Sequence, residues 1–303
     1  LKILVTGGSG LLGRALWKTL GRRHEVVPVD RSAQDGAVQA DITVIEQVMD
    51  VVKEAKPDCV MHTAAMTDLD FCEMHPEDAR KVNVLGTRNV AKAAQEARAK
   101  VVYVSTDYVF DGRKGNYSEE DEPRPQSVYA RTKLEGEFEV KKHSRNYAIA
   151  RTSRLYGWNP AKTNFVTWVL KELGEGREIK TIAGGQYTSP TYAGNLAEAL
   201  ARICEKDLRG IYHAAGSQRI DPHGFALEVA EVFSLNKELV KKIDENEMRW
   251  LARRPHDSSL KVKKIERDAG VKMLSVKEGL KRMKKDGRKF LEKEVKESGE
   301  KVE

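Results

Sequence analysis

The sequence predicts a doubly wound α/β fold, a parallel sheet covered by helices on both faces, and three observations carry that expectation. Short β-branched and apolar runs ("KILVTGG", "DCVMHTAA", "KVVYVST", "NYAIART") alternate with segments of helical periodicity. Each run is nearly continuous in apolar side chains, as a strand buried on both faces requires. The first run ends in glycines that open directly on a helix.

The elements follow in order. After "KILVTGG", Leu11, Leu12, Leu16 and Leu20 recur at helical spacing, so strand, tight turn and helix are expected. "EVVPVD" reads as a second strand, and Pro28 within it places it near an edge or makes it short. A helix at about 43 to 56, the strand "DCVMHTAA" and one long helix within 76 to 98 come next, with Pro76 suited to a first turn. "KVVYVST" is a buried strand, and a helix over 127 to 142 has Ser127 as its expected N-cap. Past residue 157 the alternation loosens into a helix near 163 to 174, a strand near 178 to 183, a helix near 192 to 205, the strand "GIYHAAG" and then mainly helix. The expected organisation is a dinucleotide-binding domain over 1–157 and a smaller, mainly substrate-binding domain over 158–303. Segments near 187–215 are expected to return to the main sheet.

Composition narrows the function. Hydrophobic content is 40% and no apolar run approaches the length of a membrane span, while "LKILVTGG" is too short and polar-flanked for a signal peptide. A soluble cytoplasmic protein is expected. The three cysteines form no C-x-x-C and the seven histidines are scattered, so no metal site is expected. The net charge is +7, but residues 261–303 carry 15 basic and 9 acidic side chains, which leaves the preceding chain near neutrality. That basic tail mixes signs at helical intervals and lacks interleaved aromatics, the pattern of a solvated amphipathic helix rather than a nucleic-acid surface.

Gly7, Gly10 and Gly13 in "TGGSGLLG" form a variant of the dinucleotide fingerprint. Glycine serves where a turn needs unusual backbone angles and where the chain approaches a pyrophosphate facing a helix N-terminus. Asp30 stands twenty residues beyond Gly10 at the end of the second strand, where a carboxylate can bond the adenosine ribose. An ATPase-type phosphate loop is excluded, because Arg14 and Ala15 replace its Lys and Ser or Thr. The expected cofactor is therefore NADPH or NADH on a Rossmann domain. Asp30 favours a free 2′-hydroxyl and Arg31 favours a 2′-phosphate, so preference stays open. Asp41 is a candidate for the adenine amino group and equally a loop cap. Leu11, Leu12 and Ile42 are expected beside the cofactor, and Ala64 and Ala65 would let it lie against backbone.

"STDYVFDG", after the fifth strand, should bring Thr106, Asp107 and Tyr108 to the nicotinamide end. The helix from 127 presents Tyr129 and Lys133, four positions apart and on one face. Carbonyl reduction needs a proton for the developing alkoxide, and an ammonium beside a phenol lowers its pKa and can bond the nicotinamide ribose. Thr106 could hold the carbonyl oxygen. The spacing alone also suits a half-buried aromatic and an exposed lysine, and it is supplied by chance about once in so lysine-rich a chain. Gly136, mid-helix and on the face of Tyr129, argues for close approach of other backbone.

Together "TGGSGLLG", "HTAAMTDLDFCE", "VNVLGT", "STDYVFDG", "EEDEPRPQSVYARTKLEGE" and "QYTSPTYAGNLA" resemble the extended short-chain dehydrogenases, specifically the dTDP-4-dehydrorhamnose reductases, from residue 3 to about 283. The resemblance implies Thr106, Tyr129 and Lys133 as the catalytic group and Asn83 as a structural polar residue nearby. It also implies reduction, with NADPH or NADH, of the C4 keto group of a dTDP-linked deoxyhexulose to dTDP-L-rhamnose. Asn164 and Phe165 in "TNFV" match the family pattern at the substrate side. Arg154 stands where many members have tryptophan, and a cation there favours phosphate over packing on a sugar face. Dehydratases and epimerases share the fold, but a dehydratase reads Thr-Asp-Glu where this chain has Thr106, Asp107 and Tyr108. "GLLGRALWK", "DYVFDG" and "YARTKLEGE" also resemble the regulatory beta subunit of methionine adenosyltransferase, which implies a catalytic-subunit partner instead of a homodimer.

Overall fold

In the computed structural model, residues 1–33, 36–159 and 162–298 are described, the last eleven of them for backbone only. The strands are β1 (Lys2–Thr6), β2 (Glu25–Asp30), β3 (Val38–Gln39), β4 (Cys59–His62), β5 (Lys100–Thr106), β6 (Tyr147–Thr152), β7 (Leu155–Tyr156), β8 (Ile179–Ile182), β9 (Thr191–Tyr192), β10 (Gly210–His213) and β11 (Val240–Ile243). The helices are α1 (Leu11–Leu20), α2 (Ile45–Ala55), α3 (Leu69–Met74), α4 (Pro76–Arg80), α5 (Thr87–Glu96), α6 (Val128–His143), α7 (Phe165–Gly174), α8 (Ala193–Glu205), α9 (Pro222–Phe233), α10 (Lys263–Ala269) and α11 (Val276–Ser298).

Seven strands form the main sheet in the order β10-β6-β5-β4-β1-β2-β3, and every pairing is parallel. The order reverses between β1 and β4, which opens a crevice at their C-terminal ends. Alternate strand residues feed two cores. Ile3, Val5, Met61, Val102 and Ala150 pack on the α1–α8 face, while Leu4, Val60, Val101, Tyr103 and Ile149 pack on the α2–α5 face. A third core joins α7, α9 and the first turns of α11 through Val169, Phe225, Val276 and Leu280. Two small parallel sheets, β8 with β11 and β7 with β9, frame that part.

Pro28 is tolerated because β3 pairs only with Val29 and Asp30, so β2 is itself an edge at Pro28. The helix expected over 76 to 98 is not uniform. α4 starts at Pro76, Lys81–Gly86 widens into a π-helical stretch, and α5 resumes at Thr87. The widening has visible causes. A Cβ on Gly86 would lie 2.7 Å from Ile42 Cδ1, and Asn83 is turned toward the loop after β4.

Helix α6 is fixed to the sheet by a buried ion pair. Arg151 of β6 donates from Nε and Nη2 to the two Glu137 oxygens at 2.9 and 2.8 Å, and the Ser105 hydroxyl donates to Oε1 at 2.6 Å. Both charged side chains are essentially inaccessible. Gly136 lets α6 settle, since a Cβ there would meet the Tyr103 hydroxyl and come within 2.8 Å of the Asn83 carbonyl. Removing one partner of such a pair strands a buried charge. We predict that Glu137→Ala loses about 3–5 kcal/mol of stability, read by denaturant unfolding. Unchanged stability would show that the pair does not hold the helix.

Candidate active site

A cavity of about 1200 Å³ runs along the C-terminal ends of the central strands. Gly7, Gly10, Leu11, Leu12, Asp30, Arg31, Asp41, Ile42, Ala64 and Ala65 line one half, and Thr106, Asp107, Tyr108, Tyr129, Lys133, Arg154 and Asn164 the other. Two expected residues lie outside its lining. Gly13 packs α1 against the turn, where a Cβ would lie 2.7 Å from the Gly8 carbonyl carbon. Phe165 stacks on Phe225 at 5.0 Å within the third core.

The glycine half is shaped for a dinucleotide. Gly7 adopts φ +72°, and a Cβ there would come within 2.8 Å of the Ala64 nitrogen and 2.9 Å of Thr63 Oγ1. Only glycine combines that angle with that approach. No side chain caps the N-terminus of α1 at Gly10, so its first amides are free to meet an anion. Asp30 Oδ2 accepts from the Ser9 amide at 3.1 Å and the Ser9 hydroxyl at 2.5 Å, while Oδ1 accepts from the Arg31 amide at 2.7 Å. Asp41 acts as a loop cap, with Oδ1 accepting from the Thr43 amide and hydroxyl, both at 2.8 Å. Burial works to raise its carboxyl, but the Thr43 hydrogen bonds and the charges of Arg31 and Lys81 outweigh it and hold the pKa below the usual range.

At the other half, Ser127 caps α6 by accepting from the Ala130 amide at 3.3 Å, which sets Tyr129 and Lys133 one turn apart over the end of β5. Thr106 lies beside the Tyr129 phenol and favours its ionised form. Tyr108 meets Tyr129 edge-on at 6.4 Å. Thr106 donates to Asp107 and accepts from the Tyr108 amide, each at 3.2 Å. Asp107 is buried and also accepts from Ser153 at 2.8 Å and Ser258 at 2.5 Å. Burial pushes its carboxyl up to about 6 against the pull of those three hydroxyls.

One expectation fails here. Lys133 was expected to lower the Tyr129 pKa, yet burial pushes the phenol well above its ordinary value, and Thr106 beside it offsets this only in part. The reason is where the ammonium points. Lys133 Nζ donates to the Val104 carbonyl at 2.8 Å and lies 4.2 Å over the Tyr103 ring, and burial brings its own pKa down to about 7 despite Glu137 nearby. Asn83 holds the wall of the site, accepting from the Met66 amide at 2.9 Å and donating to the Met66 carbonyl and to Thr132 of α6, both at 3.1 Å.

Arg154 follows β6 with φ +34°, and Asn164 caps α7 while its Nδ2 donates to the Gly157 carbonyl at 2.7 Å. Ser9, Lys81 and Arg254 line the cavity without having been expected. Ser9 was within reach, since it lies inside the glycine turn. Arg254 comes from a distant segment and carried no local pattern. Among the described residues there is no group of three metal-ligating side chains and no helix long and apolar enough to cross a membrane.

The chain is similar to known proteins in sequence and fold. The chain is 35% identical over 284 residues to a dTDP-4-dehydrorhamnose reductase of Aggregatibacter actinomycetemcomitans, covering 89% of this chain and 94% of the relative. It is 30% identical over 279 residues to methionine adenosyltransferase 2 subunit beta of Danio rerio, covering 88% and 84%. The crystal structure of dTDP-4-dehydrorhamnose reductase from Bacillus anthracis in complex with NADP superposes with a TM-score of 0.87 at 32% identity, covering 94% of this chain and 99% of that one. A family model described as the RmlD substrate binding domain matches residues 1–288. The chain belongs to the RmlD substrate binding domain family.

Proposed function

We propose that this protein is an NAD(P)H-dependent dTDP-4-dehydrorhamnose reductase, converting the C4 ketone of its nucleotide-linked sugar to the alcohol of dTDP-L-rhamnose. The observation that carries the reading is that Thr106, Tyr129 and Lys133 line the same cavity as an uncapped, glycine-lined helix N-terminus. The 35% and 32% identical reductases, each matched over nearly its whole length, support the substrate. Within this reading, residues 1–157 serve the cofactor and much of 158–303 the sugar nucleotide.

The residues divide the work as follows. The amides at the start of α1 and the backbone at Ala64 and Ala65 hold the dinucleotide, with Asp30 and Arg31 at its ribose end. When bound, the reduced nicotinamide supplies the hydride that the carbonyl carbon accepts. Tyr129 then gives its phenolic proton to the carbonyl oxygen, so the C=O gains one hydride and one proton. A phenol kept protonated by burial is suited to donate only as negative charge develops beside it. Thr106, by turning its hydroxyl from Asp107, stabilises the oxygen and then the phenolate. Lys133, half-charged near neutrality and lining the cavity, can bond the nicotinamide ribose.

Tyr108 occupies the place where a dehydratase needs a carboxylate base, which argues against that chemistry. A binding role like that of the methionine adenosyltransferase subunit needs none of the Thr106, Tyr129 and Lys133 arrangement. We predict that Tyr129→Phe lowers kcat by about 10²–10⁴-fold with dTDP-4-dehydrorhamnose and NADPH, followed by nicotinamide absorbance. Wild-type turnover no greater than the variant's would remove the reductase reading, and capture of a methionine adenosyltransferase catalytic subunit would then favour the binding role. The Lys133 charge is present below pH 7 and lost above it, because its pKa is brought down to about 7. We therefore expect kcat/KM for NADPH to fall about tenfold per unit above that pH, and Lys133→Met to abolish that limb. A flat profile from pH 6 to 9 would assign no role to the ammonium.

A further inference from the structure

We infer that Asp107 is a positioning residue for Thr106: it takes up a proton when the sugar nucleotide enters the cavity, and that proton, on Oδ1, releases the Thr106 hydroxyl to the substrate carbonyl. The inference rests on the reductase reading and deepens it by naming what orients one of its groups.

Asp107 ties three segments together. It follows β5 directly, and its Oδ2 accepts from Ser153, just after β6, at 2.8 Å and from Ser258, 151 positions away, at 2.5 Å. Its Oδ1 accepts from Thr106 at 3.2 Å. The side chain is 2% exposed and sits in the cavity wall. Both serines are themselves fixed. Ser153 Oγ accepts from the Ser189 amide at 3.2 Å, so its proton goes to Asp107, and the Ser258 amide donates to the Tyr187 carbonyl at 2.9 Å.

The directions of these bonds say where a proton would sit. Each carboxylate oxygen has two accepting sites. Two hydroxyls fill those of Oδ2, whereas among the described residues Thr106 is the hydrogen-bond partner of Oδ1. Oδ1 is therefore the atom with room for a proton. The Thr106 hydroxyl has one proton and two lone pairs, and one lone pair already takes the Tyr108 amide at 3.2 Å. While Asp107 is ionised, the Thr106 proton is committed to Oδ1. Once Oδ1 is protonated, its O–H donates to the second lone pair, and the Thr106 proton turns to the carbonyl oxygen. Asp107 keeps its own proton throughout, and Tyr129 remains the group that gives one up.

The surroundings hold Asp107 close to this change. Burial pushes its carboxyl up, and the three hydroxyls and the Arg154 charge pull against it, leaving it at about 6. The other groups that face it are the phenols of Tyr108 and Tyr129, both kept protonated by burial. Neighbouring charges on the elements packed around it are engaged elsewhere. Lys133 of α6 donates to the Val104 carbonyl, Arg151 of β6 is closed on Glu137, and Asp257 beside Ser258 accepts from Arg219 at 2.6 Å. A nucleotide sugar brings a diphosphate into the cavity and displaces water from it, and both disfavour a carboxylate in the wall. Asp107 is thus ionised in the empty site at neutral pH and is driven toward the acid as the site fills.

The test uses the full chain saturated with NADP⁺, which seats the cofactor without allowing reduction. Binding of dTDP-4-dehydrorhamnose is followed by calorimetry across pH in buffers of different ionisation enthalpy, which counts the protons taken up, and thermal unfolding confirms that each variant is folded. At pH 7 the wild type should take up about half to one proton more than Asp107→Asn. Ser258→Ala removes one hydroxyl from the carboxylate at a residue outside the cavity lining, and should move the pH of greatest uptake upward. Turnover gives a second readout. Asp107→Ala should lower kcat about ten- to hundredfold. Asp107→Asn should recover much of that loss, because an amide can accept from both serines and donate to Thr106. Equal uptake by wild type and Asp107→Asn, or an unmoved maximum in Ser258→Ala, overturns the inference and leaves the reductase reading standing if the wild type turns over. A wild type that neither binds nor reduces the sugar nucleotide overturns the reductase reading and the inference with it.

Discussion

The Glu137–Arg151 pair is the constraint on which the site depends. It joins α6 to β6 across the end of β5, with Ser105 bonded to the same carboxylate. Tyr129 and Lys133 lie two turns and one turn before Glu137 on that helix, so its docking fixes their height over the sheet. Gly136 and the Asn83–Thr132 hydrogen bond set the same helix against the π-helical stretch and the Met66 loop. A buried pair of this kind adds little net stability over well-packed apolar residues. Its value here is positional, because a small shift of α6 would carry Tyr129 away from Thr106.

Burial sets the chemistry of the two titrating groups in opposite directions. It pushes the Tyr129 phenol up and brings the Lys133 ammonium down to about 7, which keeps the phenol protonated and the lysine half-charged near neutral pH. The site is thus prepared to respond to charge that appears only during reaction, in surroundings where fixed dipoles act strongly. The substrate half follows the reverse logic. There the Arg154 charge acts on the Asp107 carboxyl, and the Arg254 charge is held by Asp70 in one orientation.

Much of this was legible in the sequence because its signals are local. The glycine turn, continuous apolar strands and a capped helix start at Ser127 each need only a few neighbouring residues, and they place Gly7, Gly10, Tyr129 and Lys133 in one crevice. The rest depends on pairings between distant positions. Nothing near Glu137 announces Arg151, and Asp70 and Arg254 are separated by 184 positions. The π-helical stretch was hidden because Ile42, which crowds Gly86, belongs to another segment. The Lys133 effect on Tyr129 was misjudged for a related reason. Sequence spacing gave the helical face but not the Val104 carbonyl that draws the ammonium toward the sheet.

The central claim is that this cavity brings a hydride to the sugar C4 while Tyr129 supplies the proton. Reduction of dTDP-4-dehydrorhamnose with NADPH deuterated at the nicotinamide C4, on each face in turn, tests it most directly. The account predicts one deuterium at C4 of the rhamnosyl product, from one of the two faces only, with the hydroxyl proton drawn from solvent through Tyr129. Product carrying no deuterium at C4 from either label, or none formed at all, would contradict it.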